Sequence, residues 1–224
     1  DDAPVSAHDF GLSNGQIMLG ESSIVALDAL PLLGRHNALN VQAALALAAQ
    51  VLPADKALAD LLPGVLSFKS LPHRVALVAT LDGVRYVDDS KATNVGATLA
   101  AIDGLFDGVS GKLAIVLGGE GKGQDFAPLA EPVARAGRAV ALIGKDAEAI
   151  GKLLPKTIPV ACFNDLTSAT RWLADQAQPG DTVLLSPACA SLDMFRNYAE
   201  RAQVFIDTVK TLTSGAPVKD GRAA

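Results

Sequence analysis

From Leu113 onward the chain alternates short continuous apolar runs with longer mixed stretches, and this alternation constrains the fold more than any other feature. Runs such as Ile115-Val116-Leu117 and Val183-Leu184-Leu185 present apolar side chains to both sides of the pleat. Such strands must be covered on both faces, which a parallel sheet between two layers of helices achieves. The pattern predicts strands over 113–117, 139–143, 159–162 and 182–185, and helices over 126–136, 147–154, 165–177 and 191–212. Upstream, the strands 75–81 and 84–87 flank Asp82-Gly83, a two-residue hairpin signal, and a helix is expected over 95–102. Strand–helix units with right-handed crossovers give an open, doubly wound, mostly parallel α/β fold.

The first seventy residues have a different texture. Two short strands are expected over 16–20 and 23–28, then a helix over 37–52 and another over 54–62 that stops at Pro63-Gly64. Two strands without a third partner make a poor sheet, so this segment reads as the end of a larger domain. The expected organisation is a partial α/β domain over 1–71, the doubly wound domain over 72–214, and a flexible tail over 215–224.

Composition narrows the function classes. Of 224 residues 50% are hydrophobic and 19% charged, enough for a core and incompatible with disorder. Nineteen basic against 24 acidic side chains give a net charge of −5, which argues against nucleic-acid binding but permits a local basic pocket. Cys162 and Cys189 read as free thiols of a reducing compartment. The longest charge-free run, 37–54, contains Asn37, Asn40, Gln42, Gln50 and Pro53 and is too polar to span a bilayer. No basic stretch followed by an apolar run opens the chain, so no secretory signal is expected, and the start at Asp1 without methionine suggests a fragment.

In an open parallel sheet the ligand site forms outside the carboxyl ends of the strands, and polar residues collect in three such loops. The first is Asp88-Asp89-Ser90-Lys91-Ala92-Thr93-Asn94. An N-cap at Thr93 or Asn94 explains its end but not the acid, hydroxyl and lysine just before it. The second, Gly118-Gly119-Glu120-Gly121-Lys122-Gly123, is expected to turn backbone N–H groups toward an anion, with Lys122 adding a point charge. It is not a nucleotide P-loop, because Val116 stands where the first glycine belongs and Gly123 replaces the Ser or Thr; nor is it G-x-G-x-x-G, because Phe126 holds the last position. The third, Ser186-Pro187-Ala188-Cys189-Ala190-Ser191, has small residues that admit a ligand, and Ser191 is expected to cap the last helix. Nucleophilic catalysis fits poorly: no G-x-S-x-G elbow is present, and His8, His36 and His73 are distant in sequence, which leaves Cys189 as a packing residue. Asn37 and Asn40 share one helix face beside His36, and Arg74 follows His73 at the expected domain junction.

Taken in order, Gly34-Arg35-His36-Asn37-Ala38-Leu39-Asn40, Leu71-Pro72-His73-Arg74, Asp89-Ser90-Lys91-Ala92-Thr93-Asn94, Leu117-Gly118-Gly119-Glu120-Gly121-Lys122 and Leu185-Ser186-Pro187-Ala188-Cys189-Ala190-Ser191-Leu192-Asp193 resemble the ATP-dependent Mur ligases of peptidoglycan synthesis. The likeness runs from about Leu33 to Leu212 and is strongest to the members that add D-glutamate. It implies the end of a central ATPase domain followed by a Rossmann-like amino-acid-binding domain. The family's P-loop, magnesium-holding glutamate and carbamylated lysine have no counterpart, so the chain alone is expected to be inactive and to hold no metal.

The implied reaction phosphorylates the carboxylate of UDP-N-acetylmuramoyl-L-alanine with ATP, and the D-glutamate amine then attacks the acyl phosphate. Carried over, Thr93, Lys122, Ser191, Leu192 and Tyr198 bind D-glutamate, with Tyr198 where the family usually has phenylalanine. Lys91 faces the acyl phosphate, and His36, Asn37, Asn40, Arg74 and Asp89 contact ATP. The resemblance further implies Mg2+, small-molecule substrates only, and a cytoplasmic monomer without nucleic-acid partner or membrane insertion. Two alternatives stay open. A folate polyglutamyl ligase is disfavoured by the Asp89–Asn94 loop, and a dinucleotide-binding or plain binding module by the missing glycine fingerprint.

Overall fold

A computed structural model describes residues 3–32, 34–106 and 111–213. Asn14 and Gly15, both at positive φ (50° and 72°), form the two-residue turn that matches the right-handed twist of a hairpin. They join β1 (Phe10–Ser13) to β2 (Gln16–Leu19), and β3 (Ser22–Ala26) adds antiparallel on the other side of β2. The segment therefore has three strands, not two: the partner thought missing is β1. Helix α1 (Arg35–Ala49) lays Ala38, Val41 and Leu45 on Leu12, Ile17 and Val25, closing a small core. The second helix expected over 54–62 is displaced. A tight turn over Leu58–Leu61 leads into α2 (Leu62–Leu66), which contains Pro63 and Gly64 rather than stopping there. Pro63 sits in the first turn, where its missing N–H costs no hydrogen bond.

The rest of the chain builds one six-stranded sheet. Its elements are β4 (Ala76–Leu81), β5 (Val84–Asp88), α3 (Val95–Phe106), β6 (Leu113–Gly118), α4 (Ala130–Ala136), β7 (Gly137–Ile143), α5 (Ala147–Gly151), β8 (Val160–Phe163), α6 (Leu166–Gln176), β9 (Thr182–Leu185) and α7 (Tyr198–Thr213). The strand order is β4-β5-β9-β6-β7-β8, with β4 antiparallel to β5 and every other pair parallel. Successive side chains feed opposite faces. Ile115, Leu117, Val140 and Leu184 pack under Ile102 and Leu105 of α3, Val133 of α4 and Ile150 of α5. Ala114, Val116, Ala141 and Val183 pack under Ala169 and Leu173 of α6 and Phe205 of α7. The apolar runs of β6, β7 and β9 are buried on both sides, as the centre of a doubly wound sheet requires.

The last helix begins later than expected. The Ser191 carbonyl accepts from the amides of Met194 and Phe195 in a turn, and α7 starts only at Tyr198, where Asn197 Oδ1 accepts from Glu200 N at 2.9 Å. Asn197, not Ser191, is the cap. The tail expected over 215–224 lies outside the described residues. Among the described residues no helix is long and apolar enough to cross a membrane.

Candidate functional site

The strand order makes β5, β9 and β6 neighbours, so the loops that follow them meet at one edge of the sheet. Loops two and three are zipped together, since Glu120 N donates to Ala190 O and Ala190 N to Glu120 O, both at 3.0 Å. Gln124 ties in the first loop: its Nε2 donates to Ala188 O at 2.7 Å and its Oε1 accepts from Val95 N, at the start of α3, at 2.9 Å. Asn94 caps α3 through Ala97 N.

Two glycines of the second loop, Gly118 and Gly119, serve this assembly. A Cβ on Gly118 would overlap the Ile143 carbonyl, and one on Gly119 the Ala190 carbonyl. The amides of Gly118, Glu120 and Gly121 donate to Pro187 O, Ala190 O and Asp146 Oδ2. Three amides of the expected cradle are thus taken up by protein acceptors, and Lys122 is the cation carried by the turn. That side chain is exposed, at φ 54°, and has no ion pair among the described residues.

In the first loop Asp89 is 6% exposed, accepts from Ser186 Oγ at 2.7 Å and from Val75 N at 3.3 Å, and has its pKa pushed up to about 6, chiefly by burial. Next to it Asp88 accepts from Ser90 N at 2.9 Å and meets His73 Nδ1 at 2.7 Å. The His73 ring stands edge-on to Tyr198, with centroids 5.8 Å apart, and Lys91 Nζ lies 4.0 Å above the Tyr198 ring. Lys91 and Tyr198, assigned separately from sequence, are therefore in contact through a cation–π pair. Thr93 is half-buried, Ser191 buried and Leu192 exposed, each on its expected loop.

The residues expected to contact ATP are not brought together in this arrangement. Arg74 is exposed near Asp89, whose oxygens are both engaged inside the protein. His36, Asn37 and Asn40 lie on α1, where Asn40 Nδ2 donates to Asn37 Oδ1 at 3.4 Å. His36 packs beside Gly104 of α3 and lines a cavity of about 520 Å³ with Arg35, Asp103 and Arg135. Burial holds its imidazole below the ordinary pKa, against a hydrogen bond to the Ala100 backbone. Nine residues of helix separate Gly104 from Val95 at the loops, roughly 13 Å of axis at 1.5 Å per residue. Among the described residues no group of three or more His, Cys, Asp or Glu could hold a metal ion. Cys162 is exposed and Cys189 buried; both are free, and burial raises the Cys189 thiol to about 12, so it stays protonated.

Three contributors escaped the sequence reading: Gln124, the His73–Asp88 pair, and Arg201. Arg201 is fully buried in α7 and donates to Ser90 Oγ, Ser90 O and Cys189 O at 3.0, 2.8 and 3.1 Å. The one signal available was an arginine on the apolar side of a helix, in register with Phe205 and Thr208.

The fold is of the doubly wound class, and its three polar loops gather at the carboxyl edge of the sheet, where ligands of such folds bind. The model of the family described as Mur ligase, glutamate ligase domain, matches residues 73–189, and the chain belongs to the Mur ligase family. It is 56% identical over 207 residues to the UDP-N-acetylmuramoylalanine–D-glutamate ligase of Dechloromonas aromatica (strain RCB), covering 92% of this chain and 44% of that protein. The enzyme of the same description from Burkholderia thailandensis is 56% identical over 190 residues, covering 84% of this chain and 36% of its own length. The chain thus spans less than half the length of these relatives. Among solved structures, the MurF ligase of Thermotoga maritima in complex with ADP superposes with a TM-score of 0.61 at 17% identity, over 93% of this chain and 46% of that one. The bifunctional folylpolyglutamate synthase/dihydrofolate synthase of Yersinia pestis CO92 gives 0.57 at 19%, over 91% and 45%. These two likenesses speak for the fold.

Proposed function

We propose that this chain is the amino-acid-binding part of an ATP-dependent ligase that joins D-glutamate to UDP-N-acetylmuramoyl-L-alanine through an acyl phosphate. The observation that carries the reading is the tie between the three loops through Gln124 and the Glu120–Ala190 pairing, which holds the segments bearing Thr93, Lys122 and Ser191 side by side. D-glutamate brings two carboxylates and one ammonium. In a protein of net charge −5 its site needs a local cation, and Lys122 is exposed and unpaired among the described residues. The hydroxyls of Thr93 and Ser191 then complete the carboxylate contacts, and Leu192 with Tyr198 forms the wall. The 56% identity to D-glutamate ligases favours this substrate over folate polyglutamylation, for which the likeness is structural at 19% identity.

In this reading His36, Asn37, Asn40, Arg74 and Asp89 serve ATP, and Lys91 serves the acyl phosphate. With Asp89 engaged by Val75 and Ser186, and Lys91 resting on Tyr198, both must first exchange these local contacts, and bringing His36, Asn37 and Asn40 of α1 to the same nucleotide needs a rearrangement about the Leu71-Pro72 junction. Lys91 would then neutralise charge on the transferring phosphoryl group, and the bound amine would be held in line with the acyl carbon. Mg2+ would offset phosphate charge, its ligands supplied by the rest of the ligase. A cytoplasmic, monomeric enzyme fits the free thiols and the small-molecule substrates.

Lys122→Ala tests the assignment in the whole ligase. Loss of one charge-assisted hydrogen bond, about 1.5–3 kcal/mol, should raise KM for D-glutamate about 10- to 150-fold. KM for ATP and for the UDP-linked substrate should stay near the parent values. Unchanged D-glutamate kinetics, or an equal rise for all three substrates, would remove Lys122 as the carboxylate anchor.

A further inference from the structure

Arg201 is the largest fully buried side chain of the described residues, and it forms no salt bridge among them. Its three hydrogen bonds go to a hydroxyl and two backbone carbonyls. A buried guanidinium without a bound carboxylate is expensive, and an apolar side chain of similar volume would stabilise α7 at lower cost. Its position explains the expense. Arg201 lies three residues after Tyr198, on the same face of the first turn of α7. Ser90 is pinned from every side: its Oγ donates to Tyr198 O at 2.9 Å and accepts from Arg201 Nε, its carbonyl accepts from Arg201 Nη2, and its amide donates to Asp88. The residue that follows Ser90 is Lys91, above the Tyr198 ring. The third bond, to Cys189 O, fixes the loop that carries Ser191 and, one residue on, pairs with Glu120 of the Lys122 loop.

We propose that Arg201 is a positioning residue that holds the Lys91 and Ser191 loops in register around the amino-acid substrate. The planar fork suits the task, because it bridges acceptors from two loops at once, which a lysine ammonium cannot do in the same geometry. Its charge also adds positive potential beneath a pocket for a ligand with two carboxylates. Asp88 and Asp193 are the acidic groups whose fields reach it. The inference rests on the D-glutamate reading given above.

The test uses the whole ligase with Arg201→Met and Arg201→Lys, following KM and kcat for each substrate together with the melting temperature. KM for D-glutamate should rise about 10-fold or more in both variants, with KM for ATP and the UDP-linked substrate within about twofold of the parent. A purely structural role would instead lower the melting temperature and leave the three KM values of the folded fraction unchanged, which would overturn the proposal. Should both variants fail to fold, Ser90→Ala decides, since it removes one acceptor and leaves the charge in place. An increase of about 3-fold in the D-glutamate KM supports the clamp, and no increase overturns it. A parent enzyme that releases no phosphate with D-glutamate defeats the functional reading and the proposal together. A parent that does so, with variants of unchanged KM, defeats the proposal alone.

Discussion

At the scale of single residues, Asp89 shows how a residue proposed for the site also becomes a stability determinant. Its carboxyl is buried between Ser186 Oγ and Val75 N, and its pKa is pushed from 3.8 up to about 6. The folded protein therefore binds this proton more tightly than the unfolded chain, and stability falls as pH rises between about 4 and 6. A shift of this size corresponds to about 3 kcal/mol. Asp89→Asn keeps an oxygen and an amide for the same partners and does not titrate. Urea denaturation of both proteins should show the wild type losing up to about 3 kcal/mol relative to the variant from pH 4 to pH 7. A difference independent of pH would mean that Asp89 is ionised in the fold without penalty. Asp89 was legible in the sequence as a polar residue of a strand-end loop, as were Lys91, Thr93 and Lys122. What holds them was not: Ser90 and Arg201 are 111 residues apart in sequence, and Ser186 and Asp89 are 97 apart, so only folding reveals the pairs.

At the scale of elements, the glycine turn after β6 separates two uses of the same residue. Gly119 has φ 128°, and its missing Cβ leaves room for the Ala190 carbonyl; Gly123 has φ 78° with open space beside it. Gly119→Ala should therefore cost more than the backbone strain of about 1–3 kcal/mol and break the Glu120–Ala190 pairing. Gly123→Ala should cost only the left-handed penalty of about 1–2 kcal/mol. Denaturation midpoints compare the two, and amide exchange at Ala190 reports the pairing; equal costs with Ala190 still protected would refute the close-approach role. Sequence alone could not make this distinction, because a glycine that admits a ligand and one that admits a neighbouring strand look identical. The central parallel strands were legible, since the apolar runs of β6, β7 and β9 are buried on both faces. Strand β1 was not, because Phe10-Gly11-Leu12-Ser13 is short and contains glycine, although Asn14-Gly15 carried the hairpin signal. The start of α7 was misplaced because 191–197 is a turn of helix-compatible composition, ended by the Asn197 cap.

At the scale of the whole molecule, the described residues form two cores that meet where α1 packs on α3. The small core of β1–β3 and α1 shares no buried residue with the two layers of the six-stranded sheet. A cavity of about 550 Å³, lined by Leu12, Asn14, Leu27, Leu30, Arg85 and Gly104 among others, lies between them. Helix α1 reaches α3 where His36 rests on Gly104, and a Cβ there would overlap His36 Nδ1. The division expected near residue 71 can be tested at this contact. Gly104→Ala should improve α3 by about 1 kcal/mol in helix propensity while pushing α1 away. Hydrogen exchange should then accelerate across α1 and at Ile17 of β2, while β6 and β9, at the centre of the large sheet, keep their protection. In the unaltered chain the same experiment should already show β6 and β9 slower than β1–β3, because three short strands and one helix bury less apolar surface per residue than six strands covered on both sides. If Gly104→Ala lowered protection equally in β6, β9 and α1, the chain would be one cooperative unit. The rearrangement about Leu71-Pro72 that the proposed ATP contacts need would then have no weak seam to use.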